Sequence, residues 1–108
     1  MTTFDEREKA FEKKFEHDQD LQFKATARKN KLLGLWAASL MGKSGADAEA
    51  YAKEVVMADL DVPGDHDVIA KLVKDLAAAG KPMEGHTIRK QAERLMAEAK
   101  AQIMKETH

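Results

Sequence analysis

Three glycine- and proline-bearing breaks dominate the pattern of this chain: Gly42-Lys43-Ser44-Gly45, Val62-Pro63-Gly64-Asp65 and Gly80-Lys81-Pro82. Gly and Pro stop helices and strands alike, so the residues between the breaks must form self-contained elements. A softer break falls at His17-Asp18-Gln19-Asp20, where a polar run weakens the helical pattern without a Gly or Pro to stop it. Between the breaks the apolar residues recur at steps of three and four. The second piece, about 20–41, carries Leu21, Ala25, Leu32, Trp36 and Leu40. The third opens on Ser44-x-x-Asp47, a capping motif, and places Ala48, Tyr51, Ala52 and Val55 on one stripe. The fourth follows Asp65, a good N-cap, with Val68, Ile69, Leu72, Val73 and Leu76 before Gly80. The last starts near Gly85 and runs through Ile88, Ala92, Leu95, Ala99 and Ile103. No segment alternates with period two over strand length, so no sheet is expected. Four helices joined by short loops predict an all-α fold, a four-helix bundle over 20–108.

Composition agrees with that fold and narrows the function. The 108 residues include 6 Gly and 2 Pro, few breakers for a chain rich in Ala, Glu, Lys and Leu. One domain of this length closes a modest core without staples. With no Cys, thiol catalysis, thiolate zinc sites and iron–sulfur clusters are excluded. The 18 Lys+Arg against 19 Asp+Glu give a net charge of -1, unlike a dedicated nucleic-acid binder, which is usually basic. The polar, acidic start is unlike a signal peptide. The longest uncharged stretch, Leu32 to Gly42, is 11 residues, where a membrane span needs about 20. These features predict a cytoplasmic protein that is not membrane-inserted.

Residues 1–19 form a separate region, an N-terminal arm. The first twenty residues hold seven acids and four bases. Thr3-x-x-Glu6 is a capping box, and Asp5 with Lys9 makes a favourable i,i+4 pair. Phe4, Phe11 and Phe15 fall at steps of seven and four, a narrow apolar stripe on an otherwise charged helix. Such a stripe either covers an edge of its own bundle or enters a groove on a partner.

The motifs that carry chemistry are weak. Asp59, Asp61, Asp65 and Asp67 stand at the first, third, seventh and ninth positions of a calcium loop, with Gly64 at the sixth. Pro63 occupies the fifth position and Ala70 the place of the bidentate Glu, so an acidic turn that caps the next helix is the better reading. The histidines His17, His66, His86 and His108 form no ligand pair at helical spacing. Gly42-Lys43-Ser44 resembles the tail of a phosphate loop, but Ala37 stands where its upstream Gly belongs. Lys24, Arg28 and Lys31, with Lys29 beside them, read as a solvated basic face, in a stretch with no acid between Gln22 and Gly42. No catalytic residue, cofactor site or metal site is expected. The alternative to a protein-binding role is a small nucleotide- or metal-binding regulatory domain that uses the Asp59–Asp67 turn or the Lys24–Lys31 face. A dimeric coiled coil is disfavoured because the breaks leave no seam of three or four heptads.

The strings TTFDEREKAFEKKF (2–15), DLQFKATAR (20–28) and NKLLGLWAA (30–38) resemble the zeta subunit of alphaproteobacterial F-type ATP synthases. AYAKEVVMADL (50–60) and PGD (63–65) match its central region, while Ser39 stands where the family pattern has an acid. The last helix matches in pattern only. The resemblance implies a four-helix bundle with an N-terminal inhibitory arm, helical or disordered when free. It implies that the arm inhibits ATP hydrolysis by entering a catalytic alpha–beta interface and blocking rotation in the hydrolytic direction. The partner is then the catalytic head, its alpha, beta and gamma subunits. The protein would be no enzyme, a monomer when free, and peripheral to the inner membrane through the synthase. Carried onto this sequence, Phe4, Phe11 and Phe15 become buried anchors, and Arg7, Glu8, Lys9 and Glu12 make polar contacts along the groove.

Overall fold

The computed structural model describes residues 19–61 and 65–106. Four helices fill them: α1 (Gln19–Leu40), α2 (Gly45–Asp61), α3 (Asp65–Ala78) and α4 (Gly85–Glu106). The all-α bundle expected from the breaks is the fold observed. α1 and α4 are each 22 residues long, about 33 Å of helix, against 17 for α2 and 14 for α3.

Two of the breaks are helix stops of one kind. After α1, Gly42 takes a φ of 80°, the Gly42 N–H donates to the Ser39 carbonyl at 3.1 Å and the Lys43 N–H to the Ala38 carbonyl at 2.8 Å. After α3, Gly80 takes a φ of 78°, with Gly80 N–H to Ala77 at 3.1 Å and Lys81 N–H to Leu76 at 2.9 Å. Both are Schellman caps, which need the left-handed residue that Gly adopts without a Cβ clash.

α1 is the central element. It packs most extensively against α2 and next against α4, while α3 touches α2 and α4 and meets α1 only lightly. The main core joins Leu33, Ala37 and Ala38 of α1, Tyr51 and Val55 of α2, Val68, Ile69, Leu72 and Leu76 of α3, and Ile88, Ala92 and Leu95 of α4. A second, smaller core holds Leu21 and Ala25 of α1 with Ile103 of α4, lined by Met96 and Met104. This pairing sets α1 and α4 antiparallel, and the start of α1 rests on the end of α4.

The expected stripe of α4 is buried throughout, from Ile88 to Ile103. That of α1 is displaced. Leu21 and Ala25 are buried as expected, but Leu32, Trp36 and Leu40 are only partly buried, and Leu33, Gly34, Ala37 and Ala38 take the interior. The cause lies at Gly34: a Cβ there would stand 2.6 Å from the Cα of Ala52 and 3.2 Å from Val55 Cγ2. Only a glycine lets the α1 and α2 backbones approach this closely, so the interior face of α1 follows Gly34 rather than the larger side chains.

Candidate functional site

The seven arm residues singled out from the sequence, Phe4, Arg7, Glu8, Lys9, Phe11, Glu12 and Phe15, lie outside the described residues. So does residues 62–64, the middle of the acidic Asp59–Asp67 turn. The described residues begin at Gln19, in the first turn of α1.

The start of α1 is held on α4 by a small contact. Leu21 and Ala25 bury against Ile103, and a charged clamp closes over them. Arg28 places Nη1 2.9 Å from Glu106 Oε1, donates through Nη2 to Glu106 Oε2 at 2.9 Å, and donates through Nη1 to Gln102 Oε1 at 3.0 Å. The two-pronged fit is the strong geometry for a guanidinium on a carboxylate. The hydrogen bond from Arg28, with its charge, holds the Glu106 carboxyl below its usual range, and Glu106 in turn raises Arg28. Gln102 also donates to Glu98 at 3.4 Å. Arg28 and Glu106 are 78 residues apart, so no local spacing announces the pair.

The basic face expected on α1 therefore divides. Lys24 and Lys31 are exposed, but Arg28 is half-buried in its clamp and Lys29 is buried, only 2% exposed. The expectation of one solvated face holds for two of the four cations and fails for the others, because α4 lies along that side of the helix. Phe23, which periodicity did not single out, is 59% exposed. It falls on the row of Ala27, Asn30 and Gly34, which is buried further along the helix, so helical spacing did not signal its exposure.

A second polar cluster ties α2 to α3. The buried Tyr51 donates its hydroxyl to Asp75 Oδ2 at 2.7 Å. Lys71 lies 3.0 Å from the same oxygen, 3.9 Å from Glu54, and 5.3 Å above the Tyr51 ring. Burial, reinforced by the hydrogen bond to Asp75, pushes the Tyr51 phenol far up, so it stays protonated. Burial alone would raise Asp75, but the Tyr51 hydroxyl and Lys71 outweigh it and hold the carboxyl below its usual value. A phenol pushed up is the reverse of an activated nucleophile. The cluster is a strut between helices.

Two shallow grooves mark the surface. One of about 390 Å³ is lined by Lys31, Glu49, Ala50, Ala52 and Lys53. The other, about 280 Å³, is lined by Lys29, Ile69, Arg89, Ala92, Glu93 and Met96. Both mix charges of either sign and converge on no reactive group. Among the described residues no cluster of three or more His, Asp or Glu could hold a metal ion. No described helix is long and apolar enough to cross a membrane.

Comparison with known proteins supplies what the geometry leaves open. No curated protein matches the chain. A protein solved by solution NMR is similar to it at 50% identity with a TM-score of 0.70, over 80% of this chain and 98% of that one. A sequence model of the family described as ATPase inhibitor subunit zeta matches residues 1–102. A match over nearly the whole length means that the chain belongs to the ATPase inhibitor subunit zeta family: it is an inhibitory subunit of the ATP synthase and not an enzyme.

Proposed function

We propose that residues 1–19 are the inhibitory arm, which enters a catalytic alpha–beta interface of the F-type ATP synthase head, while the bundle of residues 20–108 holds it in place. The observation that carries this reading is that the family match begins at residue 1 and so takes in the Phe stripe. Phe4, Phe11 and Phe15 insert as the anchors of a helix in a groove, with Arg7, Glu8, Lys9 and Glu12 in polar contact along its walls. An inserted helix that abuts the gamma subunit opposes rotation in the hydrolytic direction. The bundle contributes a fixed point of departure for the arm, because Leu21, Ala25 and the Arg28–Glu106 clamp hold the first turns of α1 on α4. No cofactor is required, and the protein sits at the cytoplasmic side of the inner membrane only through the synthase.

The test is deletion of residues 1–15, with ATP hydrolysis by the purified cognate enzyme as the readout. The described core runs from Leu21 to Ile103, so the truncated protein should melt cooperatively at nearly the same temperature and lose inhibition. Full inhibition by the truncated protein would place the activity on a face of the bundle instead.

A further inference from the structure

The chain has no Cys, so all its sulfur is thioether, carried by 6 Met. Four of the described methionines pack partly buried against a core: Met41 and Met83 against the main one, Met96 and Met104 against the smaller one. The two cores differ in what they can lose. Among the described residues the main core joins 12 buried side chains from all four helices. The smaller one has three, Leu21, Ala25 and Ile103, so two methionines are a large share of its apolar cover. Met96 also lines the groove of about 280 Å³ beside Ile69 and Ala92. Its thioether therefore borders solvent on one side and the smaller core on the other. Met104, the residue after Ile103, is likewise half-buried.

We propose that Met96 and Met104 are sites of oxidation by a peroxide, and that their sulfoxides release the start of α1 from α4. Hydrogen peroxide delivers one oxygen to the sulfur: an S–O bond forms, the O–O bond breaks, the sulfur gives up two electrons, and the second oxygen leaves as water with both protons. The product is polar and chiral where the thioether was apolar and pliable. Its oxygen either stays against Leu21, Ala25 and Ile103 as an unpaired acceptor, or turns out to water and takes the side chain off the core. Both outcomes weaken the apolar contact. What then holds α1 at this end is the Arg28–Glu106 clamp, whose side chains are 30% and 56% exposed. An ion pair so open to water holds little by itself. Met57, 49% exposed, is the contrast, since a sulfoxide there is hydrated where it forms.

The experiment treats the full chain with graded hydrogen peroxide. Peptide mapping by mass spectrometry locates each added oxygen, and amide hydrogen exchange reports how α1 is seated. Met57 should be oxidised first, with no change in exchange. Once Met96 and Met104 carry oxygen, the amides of residues 21–28 should exchange about tenfold faster, the effect of one unpaired polar group set into an apolar contact. The amides around Val55 and Leu72 should keep their protection. Methionine sulfoxide reductases with a dithiol should reverse the change. The double variant Met96→Leu, Met104→Leu keeps volume and apolarity, so its exchange should not respond to the same peroxide dose. Exchange set against site-by-site oxidation in the wild type answers the question without relying on the variant's folding. Full oxidation of Met57 with Met96 and Met104 untouched overturns the sites. Oxygen on both sulfurs with unchanged exchange in residues 21–28 overturns the release. An equal loss of protection in the double variant also overturns it, by placing the damage at Met41 or Met83.

Discussion

Gly34→Ala sets two effects of opposite sign against each other. Alanine is favoured over glycine inside a helix by about 1 kcal/mol, so on an open surface the change would stabilise α1. At residue 34 the new Cβ would lie 2.6 Å from Ala52 Cα and 3.2 Å from both Ala52 Cβ and Val55 Cγ2. Ordinary contact begins near 3.4 Å, so α1 and α2 must separate by nearly an ångström, and the nearest atom is backbone that no rotamer change can move. Overpacking of this kind costs about 1–3 kcal/mol. The separation also loosens Val55 and Leu33 in the main core, which forfeit dispersion contacts as the gap opens. The balance is a net loss of about 1–2 kcal/mol, a fall in Tm of roughly 5–15 °C for a domain of this size. Thermal melting by circular dichroism, with urea titration alongside, measures it. The companion variant Ala52→Gly removes the contact with Ala52 Cβ but leaves those with Ala52 Cα and Val55 Cγ2, so combining the two should give no rescue. An unchanged or raised Tm for Gly34→Ala would refute the close crossing, and rescue by Ala52→Gly would mean that the obstacle is a side chain.

Two further outcomes follow from the buried polar groups. Asn30 is fully buried, and neither its side-chain oxygen nor its nitrogen has a hydrogen-bond partner among the described residues; Asn30→Leu should stabilise the bundle by about 1–2 kcal/mol in urea titration, and destabilisation would show that the amide is satisfied. Tyr51→Phe deletes the bond to Asp75 and should cost about 1–2 kcal/mol. Both Asp75 and Glu106 are held below their usual values of 3.8 and 4.5, so their contribution is fully present above those values and is lost as pH falls through the lowered ones. Glu106→Gln should therefore flatten the acid limb of stability against pH, and an unaltered limb would exclude the clamp as its source.

Legibility in the sequence varied with how many neighbours a helix serves. α4 faces its neighbours along one seam, so a single stripe from Ile88 to Ile103 named its whole buried set. α1 is packed by α2 on one side and α4 on another, and its buried residues wrap around the helix to include Lys29, Asn30 and Gly34. Two overlapping stripes blur each other's period, and the larger Leu32, Trp36 and Leu40 attracted the reading although smaller residues line the interior. Gly34 looked like a cost to be offset, where in fact it permits the close approach of α1 to α2 at Ala52. For the site, the stripe of Phe4, Phe11 and Phe15 is a pattern internal to one segment, and it lies outside the described residues. The Arg28–Glu106 clamp was not legible, because its partners meet only once α1 and α4 have packed.

The antiparallel seating of α1 on α4 also determines how the molecule bears force. A pull along the axis of α1, applied at Gln19, loads Leu21, Ala25 and the Arg28–Glu106 clamp in shear, all at once. A pull across the axis peels them one after another, beginning at Leu21. Shear geometries resist at higher force than peeling ones, since many contacts must fail together. The direction of α1 on α4 thus sets the direction in which this seating is strong and the one in which it is compliant.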